Sequence, residues 1–283
     1  MTARAALLVL GATGAIGRGV VRAALDAGRP VIAVSSDRDG LREMQGTHAH
    51  ADFLPLVATL DGERRAAALA AKLRKLDRPI DGVVAALCTE RERGRLLDAS
   101  SDALREAIDK GVIAHLAAAR HLLPLLAKGG RTGGYILIDG PGGERPWAGY
   151  GHRSVGAAAL HMLARVLHDE ARALGVRLQL LSLQWPVRTD ANAAHACSQW
   201  PSANGIGRRV LELIDRRDRA PTQAVITCTG PCPDDDPPQA ADIDAALLTS
   251  RCLQDARTLL GSIATPSAPS PSKEDTHDRP TRR

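Results

Sequence analysis

Residues 5–36 read AALLVLGATGAIGRGVVRAALDAGRPVIAVSS. The first six residues are apolar and have the length of a β-strand, and the glycine-rich segment GATGAIG follows them directly. Apolar residues then recur at helical spacing over Ala15–Ala27, and Gly28 and Pro30 end the pattern. Val31–Ser36 has the composition of a second strand. The stretch therefore predicts a complete βαβ unit with a glycine turn between its first strand and its helix.

Three glycines give this turn its expected binding character. Gly11 permits the tight turn out of the strand, Gly14 lets the backbone approach a pyrophosphate, and Gly17 allows the helix to pack closely on the sheet. The N–H groups at the start of the helix then face the anion. The turn predicts dinucleotide binding, with contacts from Gly11, Thr13, Gly14, Ala15, Ile16 and Gly17.

The alternation of strands and helices continues along the chain. Strands are predicted near 50–53 and at 81–87, 134–139, 176–183 and 223–229, and helices at about 61–76, 101–109, 111–127, 153–174 and 205–218. Strands separated by helices pair in parallel through right-handed crossovers. The expected fold class is α/β, a Rossmann-type doubly wound parallel sheet of about seven strands in a single domain, residues 1–230.

The C-terminal part has a different composition. Residues 231–241 are rich in Pro and Asp and predict a linker, and residues 242–261 have the pattern of an amphipathic helix. Residues 262–283 are dominated by Pro, Ser, Thr and charged side chains, so we expect a disordered tail there.

Composition excludes several functional classes. No run of 18 or more apolar residues indicates a membrane span, and no signal peptide is recognisable, so a cytoplasmic location is expected. Aromatic residues make up only 2% of the chain, which leaves few side chains for stacking on nucleic-acid bases. The net charge is +5, but the arginines that carry it are interleaved with Asp and Glu along the sequence. Both observations argue against nucleic-acid binding. The five cysteines are irregularly spaced, as in reduced thiols, and no metal site is predicted.

The end of the second predicted strand bears on the choice of cofactor. A site that prefers NAD(H) places Asp or Glu there, whereas this chain has Ser35 and Ser36, with Arg38 shortly after. Hydroxyl and guanidinium groups suit a 2′-phosphate, so NADP(H) is favoured over NAD(H). Arg18 could add a second guanidinium, and Asp37 leaves an NAD-type contact with the ribose open.

Over residues 4–230 the sequence resembles the short-chain dehydrogenases/reductases. GATGAIG resembles their glycine turn, and DGVVAALC (81–88) lies where the family has an Asn-Asn-Ala-Gly strand end. Three later segments also match: AARHLLPLL (118–126), ILIDGPGGERP (136–146) and GAAALHMLARVLHDEARALGVRL (156–178). The resemblance implies an adenine contact at Asp52, a cofactor contact at Ala86 and a substrate lid over 188–205.

The same resemblance places the family's catalytic residues on side chains that cannot perform their roles. The catalytic Ser falls on Gly140, the Tyr on Arg153 and the Lys on Ala157, and the Asn falls on Gly111. Carbonyl reduction needs a proton donor at the carbonyl oxygen, which the family obtains from a Tyr whose pKa is lowered by the Lys. Glycine and alanine offer no such group, and arginine does not release its proton near neutral pH.

Three functions follow from this combination. The first is a dinucleotide-binding protein without the standard catalysis, acting as a regulatory or partner subunit that pairs with itself or with an active relative. The second is an NADPH-dependent oxidoreductase with relocated groups, Tyr150 as acid and Arg153 as its electrostatic partner. The third is a sensor of the NADP(H) redox state. In the first function, the subunits would pair through apolar faces of the helices at 101–127 and 153–174. The alternative is that these faces only pack on the sheet. The leucines on these faces are Leu116, Leu122, Leu123, Leu160, Leu163 and Leu167.

Overall fold

The computed structural model describes residues 4–76, 78–87, 94–128, 133–216 and 223–232. Seven strands form one sheet in the order β3-β2-β1-β4-β5-β6-β7, and every neighbouring pair is parallel. The strands are β1 (Ala6–Leu10), β2 (Val31–Ser35), β3 (Phe53–Val57), β4 (Ile80–Ala85), β5 (Gly134–Asp139), β6 (Arg177–Leu183) and β7 (Val225–Cys228). This order confirms the predicted doubly wound sheet, because the chain reverses its direction of winding between β1 and β4.

Helices cover both faces of the sheet. They are α1 (Ala15–Asp26), α2 (Arg38–Thr47), α3 (Glu63–Lys75), α4 (Ser101–Ile108), α5 (Ala114–Lys128), α6 (Gly151–Ala173) and α7 (Ala203–Asp215). Leucines and alanines of α3, α5 and α6 pack on one face, and apolar side chains of α1, α2 and α7 pack on the other. Within the described residues, none of the helices has both the length and the hydropathy of a membrane-spanning segment.

One strand was predicted at the wrong place, and one helix was not predicted. The third strand is Phe53–Val57 rather than a segment near 50–53, and helix α2 (Arg38–Thr47) was not expected. The pattern of α2 is weak because only Gly40, Leu41 and Met44 are buried, but the carboxylate of Asp37 accepts a hydrogen bond from the Gly40 backbone and caps the helix.

The predicted interface leucines divide between core and surface. Leu122, Leu123, Leu160 and Leu167 are buried in the core against the sheet, so they are not available to a partner, and Leu163 is partly buried against the same core. Leu116 is exposed, and other apolar side chains share the solvent-facing surface of this region: Ile113, Val155, Met162 and Val166.

Glycines let α1 and α7 approach each other at backbone distance. A Cβ atom added at Gly19 would collide with the carbonyl group of Ala203, and one added at Gly207 would collide with the carbonyl group of Gly19. The close contact fixes the start of α7 next to α1, and therefore next to the glycine turn.

Two irregularities shape the sheet edge and the α4–α5 connection. Residues Asp109–Ile113 form a π-helical turn that joins α4 directly to α5 and brings Gly111 toward α6. Strand β3 lies at one edge of the sheet and contains Pro55, which pairs with Ala33 of β2.

All described residues belong to one compact unit, Met1–Asp236. The predicted helix at 242–261 and the predicted tail at 262–283 lie outside the described residues, as does most of the predicted linker at 231–241.

Candidate functional site

The glycine turn lies at the carboxyl edge of the sheet, between β1, β2 and β4. The backbone N–H groups of Gly11 and Ala12 donate to the carbonyl of Val34, and Ala86 donates to the carbonyl of Leu10. Gly11 has a φ of +74°, and a Cβ at this position would collide with the carbonyl of Ala86. The predicted contact residue Ala86 is therefore adjacent to the turn.

The three glycines of the turn are required for different reasons. A Cβ at Gly17 would collide with the backbone of Gly11 and Ala12, so Gly11 and Gly17 are fixed by the protein's own packing. Gly14 is exposed, and the nearest atom to its added Cβ is the carbonyl oxygen of Gly11 at 3.4 Å. Of the three, Gly14 alone leaves its side-chain space open to a ligand.

The N-terminus of α1 has no side chain that competes with an anion. Gly14 is the N-cap residue, no side chain caps the helix, and its first turn contains no acidic residue. The first helical residues are the predicted contacts Ala15, Ile16 and Gly17. Backbone N–H groups and the helix dipole at such an end stabilise a bound phosphate.

At the end of β2, some polar residues are hydrogen-bonded within the protein and others are exposed to solvent. The Ser35 hydroxyl is buried, lies 2.7 Å from the Thr13 hydroxyl and accepts a hydrogen bond from the Asp37 backbone at 3.1 Å. Ser36 and Arg38 are exposed. Asp37 is also exposed, and one oxygen of its carboxylate accepts a hydrogen bond from the Gly40 backbone and caps α2.

Arg18 is held in place by neighbours on either side of the turn. Its Nε donates to the carbonyl of Thr13 at 3.0 Å, and its guanidinium pairs with Glu43 of α2 at 2.9 Å. A ligand phosphate near Arg18 would therefore compete with a carboxylate for the guanidinium.

The adenine contact implied for Asp52 is wrong. Asp52 precedes β3, and its carbonyl accepts from Val31 at the start of β2, so it lies at the amino edge of the sheet. The glycine turn is at the opposite edge of the sheet. The length of strand β2 separates the two, which is about 15 Å because each strand residue adds roughly 3.3 Å. The Asp52 carboxylate pairs with Arg78 at 2.7 Å instead.

The catalytic positions predicted from the resemblance meet in one place. Gly111, Arg153 and Ala157 line a cavity of about 20 Å³ together with Leu87 and Asp139. Gly140 joins this group, because a Cβ at that position would collide with the guanidinium of Arg153. The separate counts along the sequence therefore converge on one pocket at the carboxyl ends of β4 and β5.

Aromatic side chains cover Arg153 on its outer side. The Trp147 and Tyr150 rings stack with their centres 4.2 Å apart, and the Arg153 guanidinium lies 5.9 Å from the centre of the Trp147 ring. Tyr150 precedes the first residue of α6 and is not among the described residues that line the 20 Å³ cavity. Arg153 is therefore part of the cavity lining, whereas Tyr150 contacts Trp147.

Asp139 is the acidic group of this pocket. One oxygen, Oδ1, accepts from the Gly140 backbone at 2.8 Å, and Oδ2 lies 3.8 Å from Nε2 of His161. Burial raises the pKa of Asp139 to about 6, and the opposing effects of the Arg153 charge and the Gly140 N–H are smaller. Burial also lowers the pKa of His161. Sequence reasoning placed Asp139 only as the neighbour of the serine position and had no signal that His161 faces it.

Polar atoms around the pocket lack partners. Among the buried side-chain atoms without a hydrogen-bond partner in the described residues, four lie in or next to this pocket: Asp139 Oδ2, His152 Nε2, Arg153 Nε and His161 Nε2. Such atoms are rare in folded proteins, and three of these residues, Asp139, His152 and Arg153, line the 20 Å³ cavity.

A buried histidine is hydrogen-bonded to a residue that lines the pocket. His115 of α5 is fully buried, and its Nε2 lies 3.2 Å from the carbonyl of Leu87, which lines the pocket. Burial lowers the pKa of His115 to about 4, and the hydrogen bond to Leu87 opposes this effect only in part. His115 is therefore neutral at neutral pH and donates to the end of β4.

A larger cavity of about 560 Å³ lies between the glycine turn and the segment 188–204. Its lining includes Thr13 and Ala15 from the turn and four arginines: Arg18, Arg22, Arg188 and Arg208. The Arg188 backbone donates to the carbonyl of Pro201, and Ala203 donates to the carbonyl of Arg188, which folds the predicted lid back along this cavity. No group of three or more possible metal-binding side chains occurs in the part of the chain that the structure describes.

Comparison with known proteins agrees with this architecture. A family model described as enoyl-(acyl carrier protein) reductase matches residues 11–208, more than half of the chain. A comparison of the sequence with curated proteins gave no match.

Several solved structures share the fold. A short-chain dehydrogenase from Streptomyces avermitilis matches with a TM-score of 0.69 and 19% identity, covering 93% of this chain and 96% of that chain. A short-chain type dehydrogenase/reductase from Mycobacterium ulcerans matches with a TM-score of 0.70 and 19% identity, covering 80% and 89%. ElxO with NADP bound matches with a TM-score of 0.71 and 12% identity, covering 79% and 96%.

At these identities the solved structures establish the fold alone, and the family model establishes the family. The chain belongs to the short-chain dehydrogenase/reductase family.

Proposed function

We propose that the protein binds NADP(H) at the carboxyl edge of its sheet and does not perform carbonyl chemistry through the family's Ser, Tyr and Lys. The observation that supports binding is the open side-chain space at Gly14 beside the uncapped N-terminus of α1. A bound nicotinamide cofactor would supply hydride chemistry. The residues proposed to hold it are Gly11, Thr13, Gly14, Ala15, Ile16, Gly17 and Ala86, with Ser36 and Arg38 toward a 2′-phosphate.

The preference for NADP(H) rests on the end of β2. Ser35 stands where an acidic residue would select NAD(H), and its hydroxyl is engaged with Thr13. The exposed Ser36 hydroxyl and Arg38 guanidinium remain as donors for a phosphate. ElxO, which shares the fold, was solved with NADP bound.

The proposed loss of standard catalysis rests on the pocket beside this cleft. Its walls carry Gly111 and Ala157 where the resemblance places Asn and Lys, and Arg153 where it places Tyr. We infer that the protein acts as a cofactor-binding regulatory or partner subunit. The exposed apolar side chains of α6, Val155, Met162 and Val166, are the proposed contact with a second copy or an active relative.

The irregularly spaced cysteines support a cytoplasmic location.

Calorimetric titration with NADP⁺, NADPH, NAD⁺ and NADH tests the binding. We expect NADP(H) to bind at least tenfold more tightly than NAD(H), a difference of about 1.4 kcal/mol. Gly14→Ala should weaken binding by tenfold or more while leaving the melting temperature nearly unchanged, because its Cβ meets only the carbonyl of Gly11. Gly46→Ala, in open space on α2, is the matched control and should bind as the native protein does. Absence of binding by all four nucleotides would refute the proposal.

A second candidate is an active oxidoreductase with relocated groups, favoured by the presence of the Arg153 cation in the pocket. It requires Tyr150 to leave its stack on Trp147 and reach the cavity. NADPH oxidation by an aldehyde, abolished by Tyr150→Phe, would support this candidate. The sensor alternative predicts different affinities for NADP⁺ and NADPH without turnover, which the same titrations measure.

A further inference from the structure

The cavity of about 560 Å³ extends along the groove between α1 and α7. From α1 its lining includes Ala15, Gly19 and Arg22, which lie on one face of the helix and span about 10 Å because each helical residue adds 1.5 Å. Gly19 lies against Ala203 at the start of α7, so the two helices together form one wall. The volume suits a whole small molecule rather than a single ion, since ligand cavities typically measure about 300–1,000 Å³.

Most of this cavity lies outside the proposed cofactor site. Of the residues proposed to hold NADP(H), only Thr13 and Ala15 are among its described lining residues. Helix α1 begins at the glycine turn and runs back toward the amino edge of the sheet, so Arg22 is two helical turns away from the turn. A cofactor bound across the carboxyl ends of the strands would therefore occupy one end of the cavity at most.

Positive charge dominates the cavity. Its described lining holds one acidic residue, Asp190, and four arginines: Arg18, Arg22, Arg188 and Arg208. Four positive charges against one negative charge leave +3. The N-terminus of α7 lies at the same wall and has no acidic side chain in its first turn, so its dipole adds to the positive potential.

Two of the arginines have carboxylate partners that an anionic ligand would replace. Arg18 pairs with Glu43 at 2.9 Å, and Arg22 lies 3.9 Å from Asp26. All four side chains are at least 39% exposed, and ion pairs in such a setting contribute little to stability. A ligand that reaches several guanidinium groups at once therefore displaces these carboxylates easily.

The size of the positive charge distinguishes between anions. A phosphate monoester carries about −1.5 to −2 at neutral pH, so two of them balance the lining. Two carboxylates carry only about −2 in total. We propose that the cavity is a binding site for a small molecule with two phosphate groups, separate from the cofactor. One phosphate binds at Arg22 and Arg208, which are the arginines farthest along α1 and α7 from the starts of these helices.

Calorimetric titration of the full chain with fructose 1,6-bisphosphate as the probe tests this site. Fructose 6-phosphate is the comparison with a single phosphate, and each titration is made with and without saturating NADP⁺. We expect the bisphosphate to bind at least tenfold more tightly than the monophosphate, and its affinity to change less than about threefold when NADP⁺ is present. The titrations without NADP⁺ test the site even if no nucleotide binds, so its failure and that of the proposed function are separate results.

Two outcomes of these titrations would overturn the proposal. Equal affinity for the two sugars, or no binding of either, would show that the arginines do not form a bisphosphate site. Loss of bisphosphate binding in the presence of NADP⁺ would show that the cavity is only a part of the cofactor's own phosphate site.

Substitutions locate the binding. Arg22→Gln and Arg208→Gln should each weaken bisphosphate binding by roughly tenfold. Arg22 is 64% exposed, so its variant should keep the native melting temperature. Arg42→Gln, the same change on exposed α2 and outside the described lining, is the matched control and should bind as the native protein does. Unchanged affinity in both cavity variants, or equal weakening in all three, would contradict the site.

Discussion

The guanidinium of Arg153 occupies the space in which a side chain at Gly140 would lie. The resemblance places the Tyr of the family at Arg153 and its Ser at Gly140, so we infer that the two departures from its pattern are not independent. Gly140 makes room for Arg153, and Arg153 in turn lies against Trp147 and next to Asp139. Reversing one departure alone therefore disturbs the other.

Gly140→Ser tests this coupling. We expect it to lower the free energy of unfolding by about 1 kcal/mol, because the new side chain displaces Arg153 from its contacts. With Arg153→Ala in the background, the same substitution should cost almost nothing. Urea unfolding of the native protein, both single variants and the double variant measures the interaction as a cycle. Additive effects would show that the two positions do not communicate.

Close packing of α1 on α7 predicts a strong effect at Gly207. Its added Cβ meets the backbone of Gly19, which cannot move aside as a flexible side chain could. We expect Gly207→Ala to destabilise the protein by about 1–3 kcal/mol. Gly46→Ala, the same change in open space on α2, should stabilise by about 0.5–1 kcal/mol. Equal melting temperatures for the two variants would contradict the close contact.

Stability should depend on pH through two buried groups with opposite signs. Asp139 has a raised pKa, so its contribution is complete below about pH 4 and is lost as the pH rises through about 6. His115 has a lowered pKa and is buried neutral, so stability is lost as the pH falls from about 6.5 toward 4. Each effect amounts to about 3 kcal/mol at most. Between these limits the two contributions partly cancel.

Two variants separate the contributions. Relative to the native protein, Asp139→Asn should gain stability as the pH rises from about 4 to 6, and His115→Gln should gain stability as it falls over the same range. Urea unfolding at half-unit pH intervals measures both differences. A difference that does not vary with pH would show that the substituted group titrates normally.

The exposed apolar face of α6 predicts self-association. Met162 is 58% exposed and Val166 is 48% exposed, four residues apart on one helix face. We expect a dimer at micromolar concentration by sedimentation velocity, and a monomer after Met162→Glu combined with Val166→Glu. Leu97, which is 87% exposed on another segment, provides the control Leu97→Glu. A monomeric native protein would rule out the homo-oligomer part of the proposal.

The sequence was sufficient for the first βαβ unit and for a doubly wound parallel sheet of about seven strands, because strong apolar runs alternate with glycine and proline. It failed at α2, since only three residues of this helix are buried and its stability depends on the Asp37 cap. The error at Asp52 has a related origin. Without α2 the third strand was placed too early, and a residue at the amino edge was assigned to the carboxyl edge.

For the pocket too, some features could be predicted from the sequence pattern, and others depend on packing that the pattern does not show. Counting along the chain without gaps predicted that Gly140, Arg153 and Ala157 share one site, and the structure places Arg153 against Gly140 and beside Ala157 in the cavity lining. The same count had no information on burial. Whether Asp139 meets a partner, and whether His161 faces the sheet or solvent, is decided by the rotation of α6, which a weak apolar periodicity does not fix.

Pro55 has a consequence for how this molecule behaves in a crowded solution. Asp52 and Ala58 make their backbone hydrogen bonds to β2, and successive peptide groups point to opposite sides, so the nitrogen of Pro55 points outward from the edge of the sheet. A strand from another molecule that approached this edge would find no amide hydrogen there. The edge is therefore a poor template for intermolecular β-pairing, and the residue disfavours aggregation along this strand.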